Sequence, residues 1–222
     1  AQSVEAPNVT IDPLDDAAPL DEMAEASAEL PARPETYTIE GNHSVTITST
    51  RAIFVAAFER QDDLWIIHNQ PDNNVPPKLN GPEANRFPDF EDIEVNSDVK
   101  AFRLRLPENA RVYTEGGGLL WRINVVTQLP DKEYVAPQTQ FDGQNIATQF
   151  WAMPSAHFKI RFEDPEVGDE LIAVGVGKAD DFAGPSREFV EHAVLKSSAG
   201  LVVKSKIDDL SVTLQDKGVL IS

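Results

Sequence analysis

Alternation of apolar and polar residues at period two is the feature that most limits what this chain can become. His157 to Phe162 reads HFKIRF, with Phe158, Ile160 and Phe162 on one side. Successive side chains of a strand point to opposite faces, so this pattern predicts a half-buried strand. Ser44 to Thr50 alternates in the same way, with Val45 and Ile47 set against Thr46 and Thr48. Ala52 to Glu59 and Leu64 to Asn69 are apolar runs joined by Arg60-Gln61-Asp62-Asp63, which predicts a hairpin with a polar turn. Val99 to Leu106 puts Val99, Ala101, Arg103 and Arg105 on one face. Arg111 to Thr114 and Leu119 to Val126 flank Glu115-Gly116-Gly117-Gly118, a second hairpin whose glycines supply positive φ. Leu171 to Val176, Leu201 to Lys204, Leu210 to Leu214 and Val219 to Ile221 complete the series, the last pair turning at Asp216-Lys217-Gly218.

Short strands at this spacing predict an all-β fold, a sandwich or barrel-like body, with part of a β-propeller as the alternative. The body runs from residue 37 to 222, and a division into two small β-domains near 128–149 stays open. Ser186 to Ser197 fits either a helical stripe (Phe189, Val190, Ala193, Val194) or a strand, and its β-branched residues favour strand. The long Pro-, Asn- and Asp-rich stretches Gln70 to Ser97 and Gln128 to Ile146 are expected to be loops, and to carry specificity.

Residues 1–36 are of another kind. Ala1 to Glu35 holds five prolines and no aromatic or glycine, and its nine acids face Arg33 alone. Such a segment buries too little apolar surface to offset its chain entropy, so a disordered, self-repelling acidic tether is expected. A docking peptide anchored by Val9, Ile11, Leu14 and Leu20 is the alternative. The first residues, Ala1-Gln2-Ser3, fit a mature start after leader cleavage as well as an arbitrary boundary.

The formal net charge of −18 argues against a nucleic-acid partner, because counterion release needs clustered Lys and Arg. It points instead to protein partners with basic surfaces. The apolar runs are too short to insert directly into a membrane. With no cysteine, disulfides, thiolate metal sites and thiol nucleophiles are excluded.

Four phrases carry a family resemblance. AAFERQDDLWIIHNQP (Ala56 to Pro71), AFRLRLPENARVYTEGGGLLWRINV (Ala101 to Val125), EDPEVGDELIAVGV (Glu163 to Val176) and AGLVVKSKIDDLSVTLQDKGVLIS (Ala199 to Ser222) occur in this order. Over roughly residues 45–222 the chain resembles the β-rich N-terminal region of large exported bacterial tetratricopeptide-repeat proteins. The resemblance implies a periplasmic or otherwise exported protein whose helical repeats would follow Ser222. It brings no catalytic or ligand residues with it. The acidic tether and the stretch Asp72 to Ser97 depart from it.

Candidate chemistry is sparse. Gly175-Val176-Gly177-Lys178 is followed by Ala179-Asp180, not by the Ser or Thr and helix of a phosphate loop, so a strand-end turn is expected. His43, His68, His157 and His192 lack metal-ligand spacing. No GxSxG elbow accompanies Ser155 or Ser186. Asp164, Glu166 and Asp169 with Glu170, or Asp180 with Asp181, are the best calcium candidates, but they lack the DxDxDG register and fit solvated turns better. Trp65 and Trp121 follow Leu within strands and are expected in the core, whereas Phe150 and Trp151 form the candidate partner or ligand surface. No cofactor is expected. The expected function is a non-enzymatic scaffold or protein-interaction module of a bacterial cell-envelope assembly. A carbohydrate- or peptidoglycan-binding module using Phe150 and Trp151 is the alternative, and a secreted hydrolase with a convergent site is a third class.

Overall fold

A computed structural model describes residues 40–69, 77–96, 98–141 and 147–222. The expected tether lies outside the described residues. Within them the chain is all-β, its one helical element being a 3₁₀ turn at Ala84–Arg86. The strands are β1 (His43–Ile53), β2 (Val55–Arg60), β3 (Asp63–Asn69), β4 (Lys78–Asn80), β5 (Glu91–Asn96), β6 (Val99–Arg105), β7 (Arg111–Val126), β8 (Pro137–Phe141) and β9 (Ala147–Trp151). They continue as β10 (Ala156–Glu163), β11 (Glu170–Val176), β12 (Arg187–Glu188), β13 (His192–Val194), β14 (Ser197–Ala199), β15 (Leu201–Ser205), β16 (Val212–Gln215) and β17 (Gly218–Ile221).

Three antiparallel sheets form. The small ones run β4-β1-β7 and β16-β17-β9-β8. The large one runs β12-β13-β15-β11-β2-β3-β6-β5, with β10 added on β11 and β14 on β2. No sheet closes into a barrel among the described residues, and three sheets of unequal size do not repeat the four-stranded blade of a propeller. The arrangement is that of a sandwich.

The central strands are covered on both faces. Val55, Ala57, Leu64, Ile66 and Leu104 point into one core cluster, shared with Val45, Ile47, Trp121 and Ile123 of the first small sheet and Trp151, Val219 and Ile221 of the other. This cluster draws on residues either side of 128–149. Ala56, Phe58, Trp65, Ile67 and Ala101 point the opposite way, into a second cluster closed by Ile93, Ile160 and Phe162. Double burial explains why Leu64-Trp65-Ile66-Ile67 is continuously apolar instead of alternating.

The β2–β3 hairpin pairs Arg60 with Asp63 and turns through Gln61, which has φ 53°. The final hairpin pairs Gln215 with Gly218. At Gly116-Gly117-Gly118 all three φ angles are positive. Although β7 is continuous across them, Asn124 Nδ2 lies 3.4 Å from Glu115 Oε2. Nine residues of extended strand would span about 30 Å, so β7 folds back on itself at the glycines. The stretch 186–197 forms short strands, Arg187–Glu188 and His192–Val194, and no helix.

Two expectations need correction. The two stretches expected to be loops, Gln70 to Ser97 and Gln128 to Ile146, contain β4, β5 and β8, which pair with β1, β6 and β9. These are edge strands, and proline at the start of a strand (Pro137 in β8) is tolerated there because no ladder N–H is needed.

Candidate functional site

Trp151 is fully buried and opposes Val219 across the β9–β17 ladder, so it belongs to the core and presents no ring to a ligand. Phe150, its neighbour, points the other way and is half-buried. The two residues therefore do not form one surface. Trp65 and Trp121 are core residues, as the strand pattern indicates.

The acidic clusters are bound to cations of the protein. Arg60 Nε lies 2.9 Å from Asp164 Oδ2, Lys204 Nζ 2.6 Å from Asp169 Oδ2, and Arg103 Nη1 2.7 Å from Glu166 Oε2, while Arg161 pairs with Glu170. Burial pushes the Asp169 carboxyl up, but hydrogen bonds from Lys204 and Arg60 outweigh it and hold the group below its usual range. Arg103 also sits over the Trp65 ring at 5.6 Å. Each of these carboxylates is thus paired with an ammonium or guanidinium group of the protein. Among the described residues no group of three His, Asp or Glu is placed to hold a metal.

The glycine turn at Gly175–Lys178 aims its amides at a side chain. The N–H groups of Gly177 and Lys178 each donate to Ser155 Oγ at 3.1 Å, and that hydroxyl donates to Asp181 Oδ2 at 2.6 Å. Ser155 is thereby a structural hub with both lone pairs used. The histidines are dispersed: His157 stacks on Phe54 at 3.7 Å and His192 on Phe189 at 4.6 Å.

A pocket of about 180 Å³ does form, partly from the Gln128 to Ile146 stretch expected to carry specificity and partly from residues the sequence did not mark. Val112 and Thr114 of β7, the segment Leu129–Tyr134, Phe182 to Pro185, and Lys196 to Ser198 enclose it. The 129–134 segment is strapped down. Val135 N–H donates to Phe182 O at 2.9 Å, and Lys132 Nζ donates to Thr114 O at 2.7 Å while standing over the Phe182 ring. Tyr134 lies on Gly184, where φ is +75° and a Cβ would come within 2.6 Å of the ring, so only glycine fits. Deep in the site the Thr114 and Ser198 hydroxyls share a 2.8 Å hydrogen bond and are both buried. Each spends part of its hydrogen-bonding capacity on the other, and the rest of the lining is mainly apolar. At its mouth Leu129 and Tyr134 remain 44% and 45% exposed. The geometry suits a small apolar group, held by burial and screened from water, rather than proton transfer.

The chain matches no protein-family model, and it has no significant match among curated proteins or solved structures.

Proposed function

We propose that this chain is a non-enzymatic scaffold or protein-interaction module of a bacterial cell-envelope assembly, and that the pocket receives an apolar side chain of a protein partner. One observation carries the reading: an apolar cavity opens beside two exposed apolar side chains, Leu129 and Tyr134, on a strapped loop. Hydrophobic anchors seated in preformed pockets dominate the energetics of many protein interfaces. The envelope setting and the continuation into helical repeats rest on the sequence resemblance. The net charge of −18 supports a partner with a basic surface, whose association rate falls as salt screens the attraction. The glycan alternative loses its aromatic platform, because Trp151 is in the core.

A photo-reactive amino acid at position 129 tests this in the native cell. A cross-linked protein neighbour is expected there and not from the exposed position Thr213 on β16. Adducts with lipid alone, or equal yields from both positions, would overturn it.

A further inference from the structure

The outer face of the β4-β1-β7 sheet presents a polar grid that the function above does not use. The register places Asn80, Ser44 and Asn124 in one row across three strands. It places Lys78, Thr46 and Arg122 in the next row. Side chains two apart on a strand share a face, so the rows lie together. A hollow of about 350 Å³ opens over Ser44, Thr46, Asn80, Arg122 and Asn124, with Asn42 and His43 beside them, and Lys78 continues the second row outside its lining. Val45, Ile47 and Ile123 point through the other side into the core, which fixes the grid's outward direction.

Two properties give this face a chemistry. First, Lys78 and Arg122 stand either side of Thr46, about 10 Å apart across two strand spacings. Neither makes an ion pair among the described residues, although 37 acids face 19 bases in the chain, and Arg60, Arg103, Arg105 and Arg161 are each committed to carboxylates. Glu115 borders the grid, where it contacts Asn124 Nδ2, so an anion is drawn towards the Lys78–Thr46 side. Second, the remaining groups are side-chain amides and hydroxyls. Such groups carry both donors and acceptors, which is what a sugar hydroxyl requires. Asn80 Nδ2 spends one donor on Lys78 O at 3.1 Å, and Asn124 is only 8% exposed, so Ser44, Thr46 and the rest of the Asn80 amide are the groups on offer.

We propose that this face binds a short saccharide carrying a carboxylate, with the acid between Lys78 and Arg122 and the ring hydroxyls on the Ser44 and Asn80 row. Peptide strand addition to β1 is not available, because both of its edges are paired, and the outer edge of β4 is only three residues long. A long polyanion such as nucleic acid is disfavoured by the chain's net charge.

Titration of the isotopically labelled chain with digalacturonate tests the assignment by nuclear magnetic resonance. The expected result is a shift of the Asn80 and Asn124 side-chain amide signals and of the Ser44 to Thr46 backbone. Affinity is expected to drop at least tenfold in Arg122→Gln and in Lys78→Gln, both at exposed positions, with unfolding midpoints unchanged. The neutral galactose disaccharide is expected to bind at least tenfold more weakly. No shift with digalacturonate would overturn the proposal. So would full affinity in both variants, or equal occupancy of the face by a triglutamate peptide.

Discussion

Arg60 Nε lies 2.9 Å from Asp164 Oδ2, and the two side chains are only 9% and 3% exposed. The pair ties the end of β2 to the turn after β10, more than a hundred residues away in sequence. A buried ion pair adds little net stability, since both charges lose hydration, but removing one partner strands the other. Arg60→Leu is therefore expected to cost about 3–5 kcal/mol in urea denaturation. Adding Asp164→Asn to that variant is expected to recover part of the loss, since the two changes are coupled. Strict additivity would show that the contact does not matter.

Trp121 is fully buried and its Nε1–H donates to Ile53 O at 3.0 Å, joining the folded-back β7 to the end of β1. Trp121→Ala is expected to destabilise the chain by about 3–5 kcal/mol through the cavity it leaves. Trp121→Phe keeps much of the packing but orphans the Ile53 carbonyl, for an expected loss of about 1–3 kcal/mol. Loss of less than about 1 kcal/mol in the alanine variant would contradict core placement.

Strands with clear alternation or long apolar runs were legible because burial writes directly into the pattern: HFKIRF, LWIIHN and LIAVGV all lie in β10, β3 and β11. The edge strands β4, β5 and β8 were not. Edges are kept short and polar, so KLN, EDIEVN and PQTQF resemble loop sequence. Trp151 reads as a surface residue in the sequence because β9 is too short to display which of its faces turns into the core. The pocket draws on residues 112–114, 129–134 and 182–198, and no local spacing brings such segments together. The polar grid likewise needs the register of three strands, which only pairing reveals.

Acid should weaken this fold through its buried histidines. Burial pushes His192 down to about 4, with Lys206 adding to the effect, and burial also lowers His68 and His43. Between about 4 and the ordinary value of 6.5, the unfolded chain binds a proton at His192 that the folded chain does not. Stability is thus full above 6.5 and falls as pH drops through that window, by up to about 1.4 kcal/mol per pH unit for one such group. His192→Phe is expected to flatten part of the dependence of the urea midpoint between pH 7 and 5. A proton resonance of the His192 ring titrating near 6.5 would refute the assignment.

Gly200 marks the place where one stretch of chain leaves one strand for another. Ser197 and Ala199 pair with β2, whereas Leu201 to Lys204 pair with β11. At the corner Gly200 has φ +69°, and a Cβ there would fall inside the contact distance of the Val174 carbonyl oxygen, with Val55 O at 3.3 Å. Gly118 has nearly the same backbone angle, φ +62°, but open space around the Cβ position. The two sites separate backbone strain from crowding. Gly118→Ala should lose about 1–2 kcal/mol, the cost of left-handed backbone for a residue with a Cβ. Gly200→Ala carries the same strain and must also move a paired backbone carbonyl, so a loss above about 3 kcal/mol is expected. Urea denaturation of both variants decides the matter. Equal losses would mean that the corner is loose enough to admit a methyl group, and that β2 and β11 are not held together there by close packing of their backbones.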